Sequence, residues 1–93
     1  MQLGKYIIEF IGTFVFLSVV LVAKGDPVKV AVGLAAVAIM GNGKSAGHFN
    51  PAISVMMNLD KKLSRDDTMG YVISQFLGGI AAWGLPKLLA KLK

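Results

Sequence analysis

Three runs of this sequence are nearly free of charge. Between Tyr6 and Ala23 the only acidic or basic side chain is Glu9, and the runs Val30 to Gly43 and Thr68 to Pro86 contain none. Runs of this kind approach the ~20 apolar residues needed to cross a ~30 Å hydrocarbon core. In lipid the backbone must satisfy its own hydrogen bonds, so such runs fold as helices. The composition agrees: 55% of residues are hydrophobic and 16% are charged, against about a quarter charged in soluble domains. The fold class expected is therefore all-α integral membrane.

Lys5 ahead of the first run imitates a secretory leader. Glu9 within the run and the poor cleavage site at Leu21-Val22-Ala23 argue instead for a retained span. The chain has no cysteine, which removes disulfides and thiolate chemistry. Its net charge of +5 comes mostly from lysines at the ends of the apolar runs, where they reach water and lipid headgroups. No aromatic residues interleave with them as a nucleic-acid platform would require, so no nucleic-acid partner is expected.

The pattern divides the chain into a single membrane domain, residues 1–93, with spans at about 5–23, 28–42 and 68–86. Lys24-Gly25-Asp26-Pro27 reads as a turn that opens the second helix. Asp60 to Asp67 reads as a charged loop, and Pro86 reads as the end of the third span, followed by a short basic amphipathic tail. The second run is short: about 14 residues at ~1.5 Å each reach only ~21 Å. Something must complete its crossing, and the segment at about 43–59 is the candidate. Asn50 and Pro51 are a strong helix start, the Asn side chain capping and the proline tolerated at the first position. The helix that follows stops at Leu59 before Asp60-Lys61-Lys62. A helix that begins within the membrane directs about half an elementary positive charge toward its N-terminus, a device of solute-selective pores.

Four blocks carry a resemblance. Glu9-Phe10-Ile11-Gly12-Thr13-Phe14, Gly33-Leu34-Ala35-Ala36-Val37-Ala38, Ser45-Ala46-Gly47-His48-Phe49-Asn50-Pro51-Ala52 and Tyr71-Val72-Ile73-Ser74-Gln75-Phe76-Leu77-Gly78-Gly79 occur in that order. Together they resemble the first half of aquaporins and glycerol facilitators, over nearly the whole chain. The resemblance implies three transmembrane helices plus one re-entrant half-helix, and a passive channel for water and small neutral solutes. The family carries two inverted halves per chain, and this sequence matches one. The expected repair is an antiparallel homodimer, with four pores in an assembly as a tetramer of dimers. Lys5, Lys44, Lys61, Lys62 and Arg65 would flank one side, and Lys24, Lys29, Lys87, Lys91 and Lys93 the other. That five-to-five balance gives the positive-inside rule no preference, so dual topology in the plasma (inner) membrane is expected.

By the same resemblance, Asn50, Pro51 and Ala52 form the pore motif, and two facing Asn50 amides donate to a central water. Ala46, Gly47 and His48 offer backbone carbonyls along a single file. Phe16, Val32, Ala36, Met40 and Ile53 fall at lining or mouth positions. Glu9 and Gln75 brace the loop. The departures are specific: Ile53 follows Asn-Pro-Ala, Val32 stands at the usual aromatic position, and Met40 lies nearest the usual histidine position. Without the usual filter, glycerol-sized solutes stay open. No metal cluster, phosphate loop or paired carboxylates appear, so neither catalysis nor a cofactor is expected. The alternative reading is a non-conducting membrane protein that associates with a full-length channel.

Overall fold

The computed structural model describes residues 3–93. They form four helices: α1 (Leu3–Ala23), α2 (Pro27–Gly41), α3 (Pro51–Leu59) and α4 (Arg65–Lys91). Two of these, α1 and α4, are long and apolar enough to cross a membrane. The starts follow from local chemistry. Asp26 caps α2 by accepting from the amides of Val28 (2.9 Å) and Lys29 (3.3 Å), with Pro27 at the first position. Ser64 caps α4 by accepting from Asp67 N (3.1 Å), and Asp66 and Asp67 in the first turn suit the helix dipole.

Glycines set the packing. A Cβ on Gly78 would lie 2.8 Å from the Phe10 carbonyl oxygen, and one on Gly70 would meet the Tyr6 ring. Gly79 faces Leu17. Contacts that advance together along both helices make α1 and α4 parallel. On its other flank α1 meets α2, where Gly33 packs on Val19 and Gly41 on Phe49 and Ile8, so α2 runs antiparallel to α1. The small residues allow close backbone approach where lipid offers no hydrophobic drive between helices. Gly4, by contrast, faces open space.

The segment between α2 and α4 turns inward and comes back. Gly41 lies level with Ile8, near the end where α1 and α4 begin; Phe49 reaches as deep as Gly12. From there α3 returns along α4 to the loop before Arg65. At ~1.5 Å per residue its nine residues measure about 13 Å, too short to cross.

Two boundaries differ from the sequence reading. The charged loop is shorter than expected, because the Ser64 cap starts α4 at Arg65. Pro86 does not end the third helix, which continues to Lys91. Proline removes one backbone donor, whereas ending the helix would free a whole turn of carbonyls. In the weakened turn the Lys87 ammonium donates to the Trp83 carbonyl at 3.1 Å.

The burial pattern is inverted relative to a soluble domain. Glu9, Thr13, His48, Ser54 and Gln75 are buried, while Val22, Ile39, Ile80 and Leu92 are each more than 60% exposed. An apolar surface this extensive calls for a lipid or protein covering.

Candidate functional site

Glu9, on α1, has no exposed surface and gathers the loop around itself. Its Oε2 accepts from Ser45 Oγ (2.8 Å), Gly47 N (3.1 Å) and His48 N (3.2 Å). Its Oε1 accepts from Phe49 N (2.8 Å) and Gln75 Nε2 (2.9 Å). Three successive backbone amides thus point at one carboxylate. Bonds to a charged acceptor are worth about 1.5–3 kcal/mol each, which accounts for irregular backbone surviving inside an apolar bundle.

This arrangement imposes backbone conformations that the sequence accommodates unevenly. Gly47 sits at φ +71°, which glycine adopts freely. Phe49 sits at φ +51°, an uncommon place for an aromatic residue. It is held from both ends: its N–H is bonded to Glu9, and its ring fills the space left by the missing side chains of Gly12 and Gly41.

Helix α4 completes the frame. The Tyr71 hydroxyl accepts from Ala46 N at 2.9 Å, and Gln75 Nε2 also donates to Ser54 Oγ at 2.9 Å. Ser54 Oγ lies 2.9 Å from His48 Nδ1, which ties α3 to the loop. The His48 ring meets Tyr71 edge to face. Nearer the start of α1, Asp67 pairs with Lys5 and accepts from the Tyr6 hydroxyl at 2.7 Å.

Asn50 caps α3 through Oδ1, which accepts from Ala52 N at 2.8 Å. Among the described residues its amide nitrogen and the carbonyls of Ala46, Gly47 and His48 have no partner within the chain. Beyond Asn50 and Pro51 a cleft of ≈ 700 Å³ opens between α1 and α4, walled by Phe16, Leu17, Ile80 and Trp83. Thr13 and Gln75 lie at its base, and Thr13 Oγ1 and Gln75 Oε1 are buried without partners.

The structure therefore joins Glu9, Gln75, the 46–48 loop and Asn50-Pro51-Ala52 in one unit. The other expected positions do not meet in a single chain. Phe16 faces the cleft above Asn50; Met40 borders a smaller cavity beside Phe49; Val32 and Ala36 share a shallow groove on α2; Ile53 is partly exposed on α3. The sequence reading assigned no role to Tyr71, Ser45 or Ser54. Tyr71 lies four residues before Gln75 and so shares its helix face, but that spacing alone does not separate a loop partner from a packing residue.

A helical membrane protein with a polar loop folded back into its apolar bundle is the class that this fold and site define. The chain belongs to the major intrinsic protein family, whose description it matches over residues 1–92. That family is one of membrane channels, not of enzymes. Among curated relatives, the glycerol uptake facilitator protein-like 6 of Lactiplantibacillus plantarum is 43% identical over 84% of this chain and 40% of its own length. Aquaporin PIP1-2 of Musa acuminata is 31% identical over 87% of this chain and 38% of its own length. Aquaglyceroporin AqpS of Rhizobium meliloti is 44% identical over 48% of this chain and 19% of its own length. The chain thus spans well under half of each of these relatives. No solved structure matches it.

Proposed function

We propose that this chain forms half of a passive channel for water and small neutral solutes such as glycerol. The other half is a second copy inserted upside down. The carrying observation is the loop held by Glu9. Its amides turn inward to the carboxylate, and the carbonyls of Ala46, Gly47 and His48, with the Asn50 amide, are left for a solute. Those groups offer acceptors along a file and a donor at its inner end, the pattern a hydroxylated solute needs.

The empty cleft supports the pairing. At ~1.5 Å per residue, α1 measures about 31 Å and α3 about 13 Å. Two such half-helices, end to end, reach about 26 Å, most of the length of α1. In this reading α3 of the partner occupies the cleft beyond Asn50, so two helix N-termini face each other and disfavour cations. Phe16, Val32, Ala36, Met40 and Ile53 complete a wall only once both copies are present. Helices α1, α2 and α4 are the three spans, and residues 43–59 the re-entrant element. The relatives named for glycerol and for water both fit this solute class.

Stopped-flow light scattering on proteoliposomes holding only this chain tests the reading. Shrinkage well above empty vesicles with a low activation energy is the expected result, with glycerol uptake as the parallel trace. Inserted protein with no excess flux of either solute would instead favour a missing partner or a non-conducting role. Asn50→Asp places a carboxylate at the facing helix starts; increased cation or proton leak with water flux retained is expected. An unchanged leak would count against a central barrier.

A further inference from the structure

The two ends of the molecule carry the same number of basic residues but not the same free charge. Because α1 and α4 are parallel, Lys24 and Lys29 beside the α1–α2 turn lie at the same end as Lys87, Lys91 and Lys93. All five are exposed, and among the described residues none is in an ion pair. Among the described residues the one acidic side chain at that end, Asp26, caps α2. At the opposite end Lys5 pairs with Asp67 and Lys62 with Asp60, and Asp66 adds a further carboxylate.

The last turns of α4 are also built differently from its middle. Asp67 is level with Lys5, and Gly79 with Leu17; the same offset sets Ala23 level with Leu85. Residues beyond Leu85 therefore project past the end of α1. There Leu85, Leu88, Leu89 and Leu92 follow one helical stripe, while Lys87 and Lys91 lie on the other side. The leucines are 39%, 56%, 49% and 74% exposed. At the foot of this segment the Lys87 ammonium sits 4.3 Å over the Trp83 ring. Exposed tryptophan and lysine together are the residues that favour the headgroup level.

We infer that this end is a binding surface for anionic phospholipid. The leucine stripe lies against the acyl-chain boundary, and Lys24, Lys29, Lys87, Lys91 and Lys93 hold headgroup phosphates. Clustered lysines beside a span attract anionic lipid, each contributing to the affinity, and the ammonium is a compact partner for a phosphodiester. Free phosphate offers the same anion but leaves four leucines uncovered, so the occupant is the lipid. This reading is independent of solute conduction.

Because the chain has no native cysteine, a bromine-quenchable fluorophore on a cysteine introduced at Leu92, which is 74% exposed on the leucine stripe, reports on this end. The full chain is reconstituted in phosphatidylcholine vesicles carrying equal fractions of either brominated phosphatidylglycerol or brominated phosphatidylcholine. Several-fold stronger quenching by the anionic lipid is expected. Replacing Lys87, Lys91 and Lys93 together by glutamine should remove most of the difference; Lys61→Gln with Lys62→Gln, at the other end, should preserve it. Millimolar inorganic phosphate at matched ionic strength should leave it intact. Equal quenching by the two lipids in the unaltered chain overturns the inference, as does loss of the difference in the Lys61/Lys62 variant. Abolition by inorganic phosphate would assign the surface to a soluble anion instead, and overturns it too.

Discussion

Glu9 is an isolated acid in an apolar helix, and its five donors explain why it is there. Glu9→Gln keeps the size but presents an NH₂ group to an array that already consists of donors. Leaving buried amides unpaired costs about 1–3 kcal/mol each, so the expected loss is several kcal/mol. Thermal unfolding in detergent should fall accordingly; an unchanged midpoint would mean that the carboxylate does not hold the loop. Tyr71→Phe removes a single acceptor, from Ala46 N, and should cost about 1 kcal/mol by the same measurement. Glu9 was legible in the sequence because a charge amid apolar residues needs a partner. Ser54 and Tyr71 were not, because a serine or tyrosine in an apolar helix is common in packed cores, and only the fold aims their oxygens at Gln75 and Ala46.

At the scale of elements, the α1–α4 seam depends on Gly78, whose Cβ position is occupied by backbone of α1. Gly78→Val should separate the helices and abolish the folded monomer in detergent, whereas Gly4→Val, facing open space, should be nearly neutral. Size-exclusion profiles and circular dichroism of the two variants make the comparison. Pro27 and the Asn50-Pro51 pair made the starts of α2 and α3 readable to within a residue or so, whereas the Ser64 cap was missed and α4 begins at Arg65, inside the expected loop. Pro86 misled because the rule that proline ends a helix weighs one lost donor against solvation by water. Where a broken helix would expose several groups to lipid, continuing through the proline is the cheaper course. The shortness of α2 is what singled out the following loop as the segment to complete its crossing. The loop's bracing from two different helices was expected at Glu9 and Gln75, but the bonds made by Ser45 and Tyr71 were not, since these residues meet their partners only in the fold.

For the whole molecule, the candidate wall is scattered over separate clefts of a single chain, which no local pattern could have indicated. The proposed pairing makes a prediction at this scale. With no native cysteine, a cysteine introduced at Gly25 is a clean label. In intact cells, a membrane-impermeant thiol reagent should modify about half of the molecules, with the remainder reacting only after lysis. Complete labelling from one side would rule out two orientations in one membrane.

The attachment of the loop to both α1 and α4 has a consequence for the order in which the chain is made. Glu9 is synthesised early and the loop amides midway, but Tyr71 and Gln75 come last. Until α4 emerges, Ala46 lacks its acceptor and the carboxylate lacks its Gln75 donor. The polar stretch therefore stays hydrated through most of synthesis and is drawn into the bundle only by the final helix. A chain ending at Ser64 should leave the amides of residues 46–49 open to hydrogen exchange, and the full chain should protect them. Biogenesis would then resemble the closing of a clasp more than the stacking of finished parts.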